Sequence, residues 1–170
     1  MTCPDPSNVA CRVVYCDGSA SPNPGRMGIG AVIIEPNGTG HTLSQATHSK
    51  GCNNEAELKA LLAALRDQHA RGVTALLVHC YNSILVEQLG REEAKPIARP
   101  ALLFDEARTL LKSFEHAHLQ LIPRLRNGEA DELARVAVGI QPKFVVNQCE
   151  VGGSSRARPA PTGSSLLMLR

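Results

Sequence analysis

The sequence predicts an α/β domain: a mixed five-stranded sheet, an antiparallel β-meander plus parallel strands, flanked by helices. Three observations lead there. The chain opens with β-rich runs separated by the turn signals Asp17-Gly18 and Asn37-Gly38. From Asn53 the apolar spacing becomes helical. Beyond that point helical stretches alternate with short apolar runs. The resulting order, βββ-α-β-α-α-β-α, places helices on the faces of a mixed sheet.

Each element has its own local cause. Residues 1–10, MTCPDPSNVA, carry two prolines and no period, and read as a flexible lead-in. CRVVYCDGSA (11–20) is the first strand, closed by a turn signal, and SPNPGRMG (21–28) reads as a loop punctuated by proline and glycine. IGAVIIEPNGTG (29–40) is the second strand, with a hairpin at Asn37-Gly38 into a third, HTLSQAT (41–47). Leu58, Leu61, Leu62 and Leu65 then fall on one face of a helix that stops at Gly72. VTALLVHCY (73–81) is apolar almost throughout, the signature of a strand covered on both sides. Helical spacing returns after Asn82, and again on a stripe of Leu103, Ala107, Leu110, Leu111 and Phe114. HLQLIP (118–123) alternates as a last strand, and NGEADELARVAV (127–138) closes the domain with Ala130, Leu133, Ala134 and Ala137 along one face. The domain thus covers 11–140, and residues 141–170 form a low-complexity tail expected to be disordered.

Composition excludes several classes. With 43% hydrophobic residues and a net charge of +2, the chain is not of the disordered type. That charge permits a nucleic-acid partner without demanding one. Trp is absent and aromatics make up 3%, which supplies little for stacking single-stranded bases. The six cysteines, Cys3, Cys11, Cys16, Cys52, Cys80 and Cys149, include no C-x-x-C pair, and read as reduced thiols of a cytoplasmic protein. No signal-peptide core opens the chain, and no apolar run reaches the about 20 residues of a membrane span. The expectation is a soluble monomer with no membrane contact and no small-molecule organic cofactor.

Four polar residues sit where elements end or begin. Asp17 ends the first strand, and Glu57 lies in the first turns of the first helix, with Leu61 and Ala64 following at i+4 and i+7. Asp131 is in the first turn of the last helix, and Asn82 ends the strand before a helix. Taken singly, these are a turn residue, two first-turn acids favoured by the helix dipole, and an N-cap. Taken together they are expected to converge over the sheet, and hard divalent cations favour such oxygens.

The words around these residues resemble a known family, the type 1 ribonucleases H. YCDGSASPNPGRMGIGAVI is similar to that family's opening strand, and NNEAELKALLAAL resembles its N-N-x-A-E segment, whose Glu is Glu57 here and not Glu55. YNSILVEQL resembles the D-S-x-L-V-x-Q-L segment, and PRLRNGEADELA resembles P-R-x-x-N-x-x-A-D-x-L-A, whose Asp is Asp131. The resemblance covers about residues 12 to 139. It implies the ribonuclease H-like fold and two-metal hydrolysis of the RNA strand of RNA–DNA hybrids, with Mg2+ as cofactor and Mn2+ as a substitute. Asp17 would bridge the two ions, which clamp both oxygens of an in-line displacement when about 3.5–4 Å apart. Glu57 and the third acid would face the attacking water, and Asp131 the leaving 3′-oxygen. Gly18, Ser19 and Asn23 of the opening segment would meet the nucleic-acid backbone. Asn53 and Asn54 would meet the hybrid's minor groove, where RNA shows its 2′-hydroxyls. As an alternative, both asparagines cap their helix. Arg124 and Arg126 would contact phosphates.

The chain departs from the family pattern in three places. PRLRNGEAD lacks the loop histidine of many members, as in the short form, and REEAKPIARP is too mixed in charge for a basic handle helix. His79 and His118 read as packing residues. Most seriously, Asn82 stands where the family has its third catalytic Asp. An amide is a weaker ligand for Mg2+ and removes one negative charge, so activity should fall by orders of magnitude or require Mn2+. Loss of a carboxylate also relieves repulsion in the metal-free site. A second hypothesis is a module that binds RNA–DNA hybrid or duplex RNA without cutting. A third is a related nuclease, transposon-derived or proofreading, against which the N-N-x-A-E segment speaks.

Overall fold

Alternate side chains of the first strand, Val14, Cys16 and Ala20, are buried, because a strand sends successive residues to opposite faces. The computed structural model describes residues 11–90 and 100–142. The lead-in, the stretch 91–99 with its expected lack of a basic helix, and the tail beyond residue 142 lie outside the described residues. The strands are β1 (Arg12–Ser21), β2 (Gly25–Ile34), β3 (Gly40–Gly51), β4 (Ala75–Cys80) and β5 (His116–Leu121). The helices are α1 (Asn53–Ala70), α2 (Ser83–Gly90), α3 (Ala101–Ser113) and α4 (Gly128–Ala137), with a 3-10 turn at Arg124–Asn127. One five-stranded sheet runs in the order β3-β2-β1-β4-β5. β1 is antiparallel to β2, with Asp17 opposite Gly30, and parallel to β4, with Tyr15 opposite His79. The expected fold class is the observed one.

One face of the sheet carries the main core. Val14, Cys16, Ile33, Leu61, Leu65 and Val78 are among the buried residues there, contributed by β1, β2, α1 and β4. A second cluster, Leu58, Leu62, Leu85, Phe104 and Ala107, joins α1 to α2 and α3. α4 covers the other face, against β2, β1 and β3.

Two glycines set how closely the helices approach. A Cβ at Gly18 would lie 2.0 Å from the Ala56 carbonyl carbon and 2.1 Å from the Glu57 nitrogen. One at Gly30 would lie 2.3 Å from the Ala130 oxygen. Gly18 follows Asp17 and Gly30 pairs with it, so α1 and α4 are both seated against the same point of β1.

Several local expectations are corrected. Residues 21–28 are not a loop: β1 runs to Ser21 and β2 starts at Gly25, leaving a three-residue turn at 22–24. The glycines there permit close packing within a strand and do not interrupt it. β3 runs four residues past the expected end at Thr47, to Gly51, held by pairing with β2 across an irregularity between Arg26 and Gly28. β5 begins at His116, two residues early, because it pairs with β4 from Ala75 onward. In α3, Phe104 is a buried anchor that the expected stripe omitted. His79 is a packing residue, 4.8 Å from the Tyr15 ring centroid. His118 is not; it is exposed on the edge strand β5. Cys11, Cys16, Cys52 and Cys80 are free thiols. Among the described residues no helix is long and apolar enough to cross a membrane.

Candidate active site

The site forms around Asp17, in the middle strand of the sheet. Its side chain is 1% exposed. Oδ1 accepts the Gly18 N–H at 2.7 Å, while Oδ2 is buried with no hydrogen-bond partner. Burial comes first, then the charge of Glu57 and that of Asp131, in pushing the Asp17 carboxyl up to about 8, against the Gly18 N–H. Of the three acids expected to converge, Asp17 is thus within electrostatic reach of the other two. Glu57 arrives on α1, seated over Gly18, and is itself buried. Burial raises its pKa; donors facing it from Asn82 and Tyr81, and the charge of Arg124, oppose that rise. Asp131 arrives on α4, seated over Gly30, and its Oδ1 accepts from Arg124 Nη2 at 3.2 Å.

Asn82 does not itself end the strand: β4 stops at Cys80, and Asn82 lies two residues on, directly before α2, which it caps. Its Oδ1 accepts the N–H groups of Ile84 at 2.9 Å and Leu85 at 3.3 Å. Its Nδ2 donates to Asn54 Oδ1 at 3.1 Å. The site thus holds three carboxylates and one amide, drawn from β1, α1, the β4–α2 connection and α4.

The other expected residues are placed as follows. Gly18 is buried beneath α1, and Ser19 is half-buried beside it. Asn23 is exposed in the β1–β2 turn, where its Oδ1 accepts the Asn53 N–H at 3.2 Å. Asn53 Oδ1 in turn accepts the Ala20 N–H at 2.8 Å. These two amides pin the start of α1 to the β1–β2 hairpin, so Asn53 is a tie between elements and not a cap of its own helix. Asn54 is exposed next to Asn82. Both border a groove of about 400 Å³ that Cys52, Ile84 and Phe104 also line. On the other side of the site, Arg124, Leu125, Asp131 and Arg135 line an open groove of about 530 Å³. Arg126 is exposed on the same 3-10 turn.

Two residues escaped the sequence reading. Tyr81 lies between Glu57 and Arg124, whose guanidinium carbon sits 5.3 Å from its ring centroid. Its hydroxyl pKa is raised by burial and by the charges of Asp17 and Glu57. The only signal was its place directly before Asn82. Asn127 is buried and donates from Nδ2 to the Cys16 carbonyl at 2.9 Å, which locks the 3-10 turn under β1. Its position in the PRLRN segment was visible, but its partner was not.

Among the described residues no three His, Cys, Asp or Glu side chains are grouped so that they could hold a metal ion as they stand. The donor set nonetheless suits a hard divalent ion. Asp17 Oδ2 is a buried acceptor with no donor, an arrangement that costs free energy unless a cation balances it. Glu57 and Asp131 stand close enough to raise the Asp17 pKa through their charges. Asp17, Glu57 and Asp131 are the residues that fit.

The chain is similar to known proteins across the residues that build this site. A family model described as reverse transcriptase-like matches residues 15–137. The bifunctional protein Rv2228c of Mycobacterium tuberculosis is 34% identical over 171 residues, covering 93% of this chain. This chain spans about half the length of that relative, 46%. The solved N-terminal RNase H domain of Rv2228c superposes with a TM-score of 0.65 at 32% identity, covering 75% of this chain and 98% of that one. Ribonuclease HI of Halobacterium salinarum is 30% identical over 73% of this chain and 62% of its own. LC11-RNase H1, solved in complex with RNA/DNA hybrid, gives a TM-score of 0.65 at 31% identity over 75% of this chain and 96% of that one. With the family match spanning every element that builds the site, the chain belongs to the reverse transcriptase-like family, as a ribonuclease H-family domain.

Proposed function

We propose that this protein hydrolyses the RNA strand of RNA–DNA hybrids with Mg2+, for which Mn2+ can substitute. The observation that carries the reading is a buried Asp17, one oxygen of which has no hydrogen-bond partner, within electrostatic reach of both Glu57 and Asp131. Similarity to LC11-RNase H1, which binds such a hybrid, supports the substrate class. Asp17, Glu57 and Asp131 would hold the ions. Bound divalent ions would activate the attacking water and offset charge on the leaving oxygen. The protein's own share is positioning. Gly18 and Gly30 let both helices close on β1, and Asn127 fixes the turn carrying Arg124 and Arg126. Arg124 and Arg126 would meet phosphates, while Asn23, Asn53 and Asn54, with Ser19, line the approach of the hybrid.

Asn82 favours a second reading, a hybrid-binding module that does not cut, because it leaves the site one negative charge short of four carboxylates. The test incubates end-labelled hybrid with the unaltered protein and with Asn82→Asp, in Mg2+ and in Mn2+. Cutting of the RNA strand by the unaltered protein is the expected result, with Asn82→Asp faster by an order of magnitude or more. Cutting by Asn82→Asp alone supports the binding module. Cutting by neither overturns the nuclease reading.

A further inference from the structure

The Asn82 amide has a fixed orientation. Two backbone N–H groups, those of Ile84 and Leu85, point at one of its terminal atoms, which must therefore be the oxygen. A flipped amide would set its NH2 against two donors. With Oδ1 taken up by the cap, the group turns its NH2 into the site. That NH2 donates to Asn54 Oδ1 at 3.1 Å, and Asn82 is near enough to Glu57, one turn on along α1, to oppose the rise in its pKa. A side chain that presents donors cannot ligate a cation with the same atoms.

We propose that Asn82 is a positioning residue and not an ion ligand: its NH2 group brackets Asn54, at the hybrid groove, to Glu57, in the carboxylate cluster. The inference rests on the nuclease reading for what Asn54 and Glu57 do, and adds how they are joined. Asn54 is exposed and Glu57 buried, three residues apart on α1, so they lie on neighbouring faces of one turn. Asn82, two residues past β4, reaches across to hold Asn54 and lies beside Glu57. A hybrid that engages Asn54 therefore meets a side chain already aligned with the carboxylates, which reduces the ordering cost of binding. A carboxylate at position 82 would keep the cap but offer Asn54 Oδ1 no donor.

Asn82→Ser separates the roles, because serine caps helices about as well as asparagine yet is too short to supply the NH2 bracket. Two quantities are measured on the full chain. One is hybrid affinity without divalent metal, by fluorescence anisotropy, for the unaltered protein, Asn82→Ser, Asn54→Ala and the double variant. The other is Mg2+ affinity by calorimetry. The expected result is a loss of hybrid affinity of about three- to tenfold in Asn82→Ser, the size of one hydrogen bond. The double variant should bind no more weakly than Asn54→Ala, since the coupling is already broken. Mg2+ affinity should change less than about twofold, since no ligand is lost. Unchanged hybrid affinity in Asn82→Ser, or additive losses in the double variant, overturns the bracket while leaving the nuclease reading standing. A fall of tenfold or more in Mg2+ affinity overturns it as well, by showing that position 82 is a ligand. No hybrid binding by the unaltered protein overturns the nuclease reading, and the bracket's role with it.

Discussion

Asp17 carries one oxygen bonded to its own neighbour's N–H and one bonded to nothing, inside a site that already holds Glu57 and Asp131. Its carboxyl is pushed up to about 8 in the folded protein, against about 3.9 in an unfolded chain. The folded state therefore keeps a proton that the unfolded state releases. Stability from this group is fully present below about pH 4 and is lost as pH rises through about 8. Thermal melts in chelator from about pH 5 to about pH 9 should show a falling Tm that Asp17→Asn largely flattens, with Asp17→Asn the more stable protein at the alkaline end. A flat profile in the unaltered protein would contradict the burial argument. At this scale Glu57 and Asp131 were legible because each sits in the first turns of a helix; Asp17 reads as the end of its strand, but β1 continues through it to Ser21, so its place is mid-strand. The amide at position 82 was legible as an oddity but not in its role. Asn54 and Asn82 are 28 positions apart, and no local pattern says that one donates to the other. Tyr81 and Asn127 were missed for the same reason: their partners lie across the fold.

Elements meet where their side chains are smallest. β1 and β2 could not receive α1 and α4 at these distances with a Cβ at Gly18 or Gly30. Gly30→Val puts a branched side chain 2.3 Å from the Ala130 oxygen and 2.6 Å from the Ala134 nitrogen, both backbone atoms of α4. Overpacking of this kind should cost about 1–3 kcal/mol of stability by urea denaturation. Asp131 should also move away from Asp17, so Mg2+ affinity falls in the fraction that remains folded. Full stability in Gly30→Val would show that α4 is not seated by that glycine. Strong periodicity made α1 and β4 legible. The glycine-rich stretch 21–28 was not, because a glycine that permits a turn and one that admits a helix look alike in sequence. Phe104 was missed because a stripe counted from Leu103 leaves out its immediate neighbour, which is buried within the second core cluster while Leu103 only packs against it. β5, exposed along most of its length, has too little apolar contrast to mark its own start.

The whole molecule places one strand at the centre of the sheet and a helix on each side of it. Only near the middle of β1 do α1, α4 and the end of β4 come together. The motif order read from the sequence spans about residues 12 to 139, close to the 15–137 of the family match, because those segments are the ones that build this meeting point. Loop lengths and strand ends were less legible, since pairing partners set them. At that meeting point Asp17, Glu57 and Asp131 are proposed to form one divalent-ion site. Calorimetric titration of Mg2+ into the unaltered protein and into Asp17→Asn tests it most directly. Saturable binding that Asp17→Asn abolishes is the predicted result. Equal binding by both proteins, or none by the unaltered one, would contradict it.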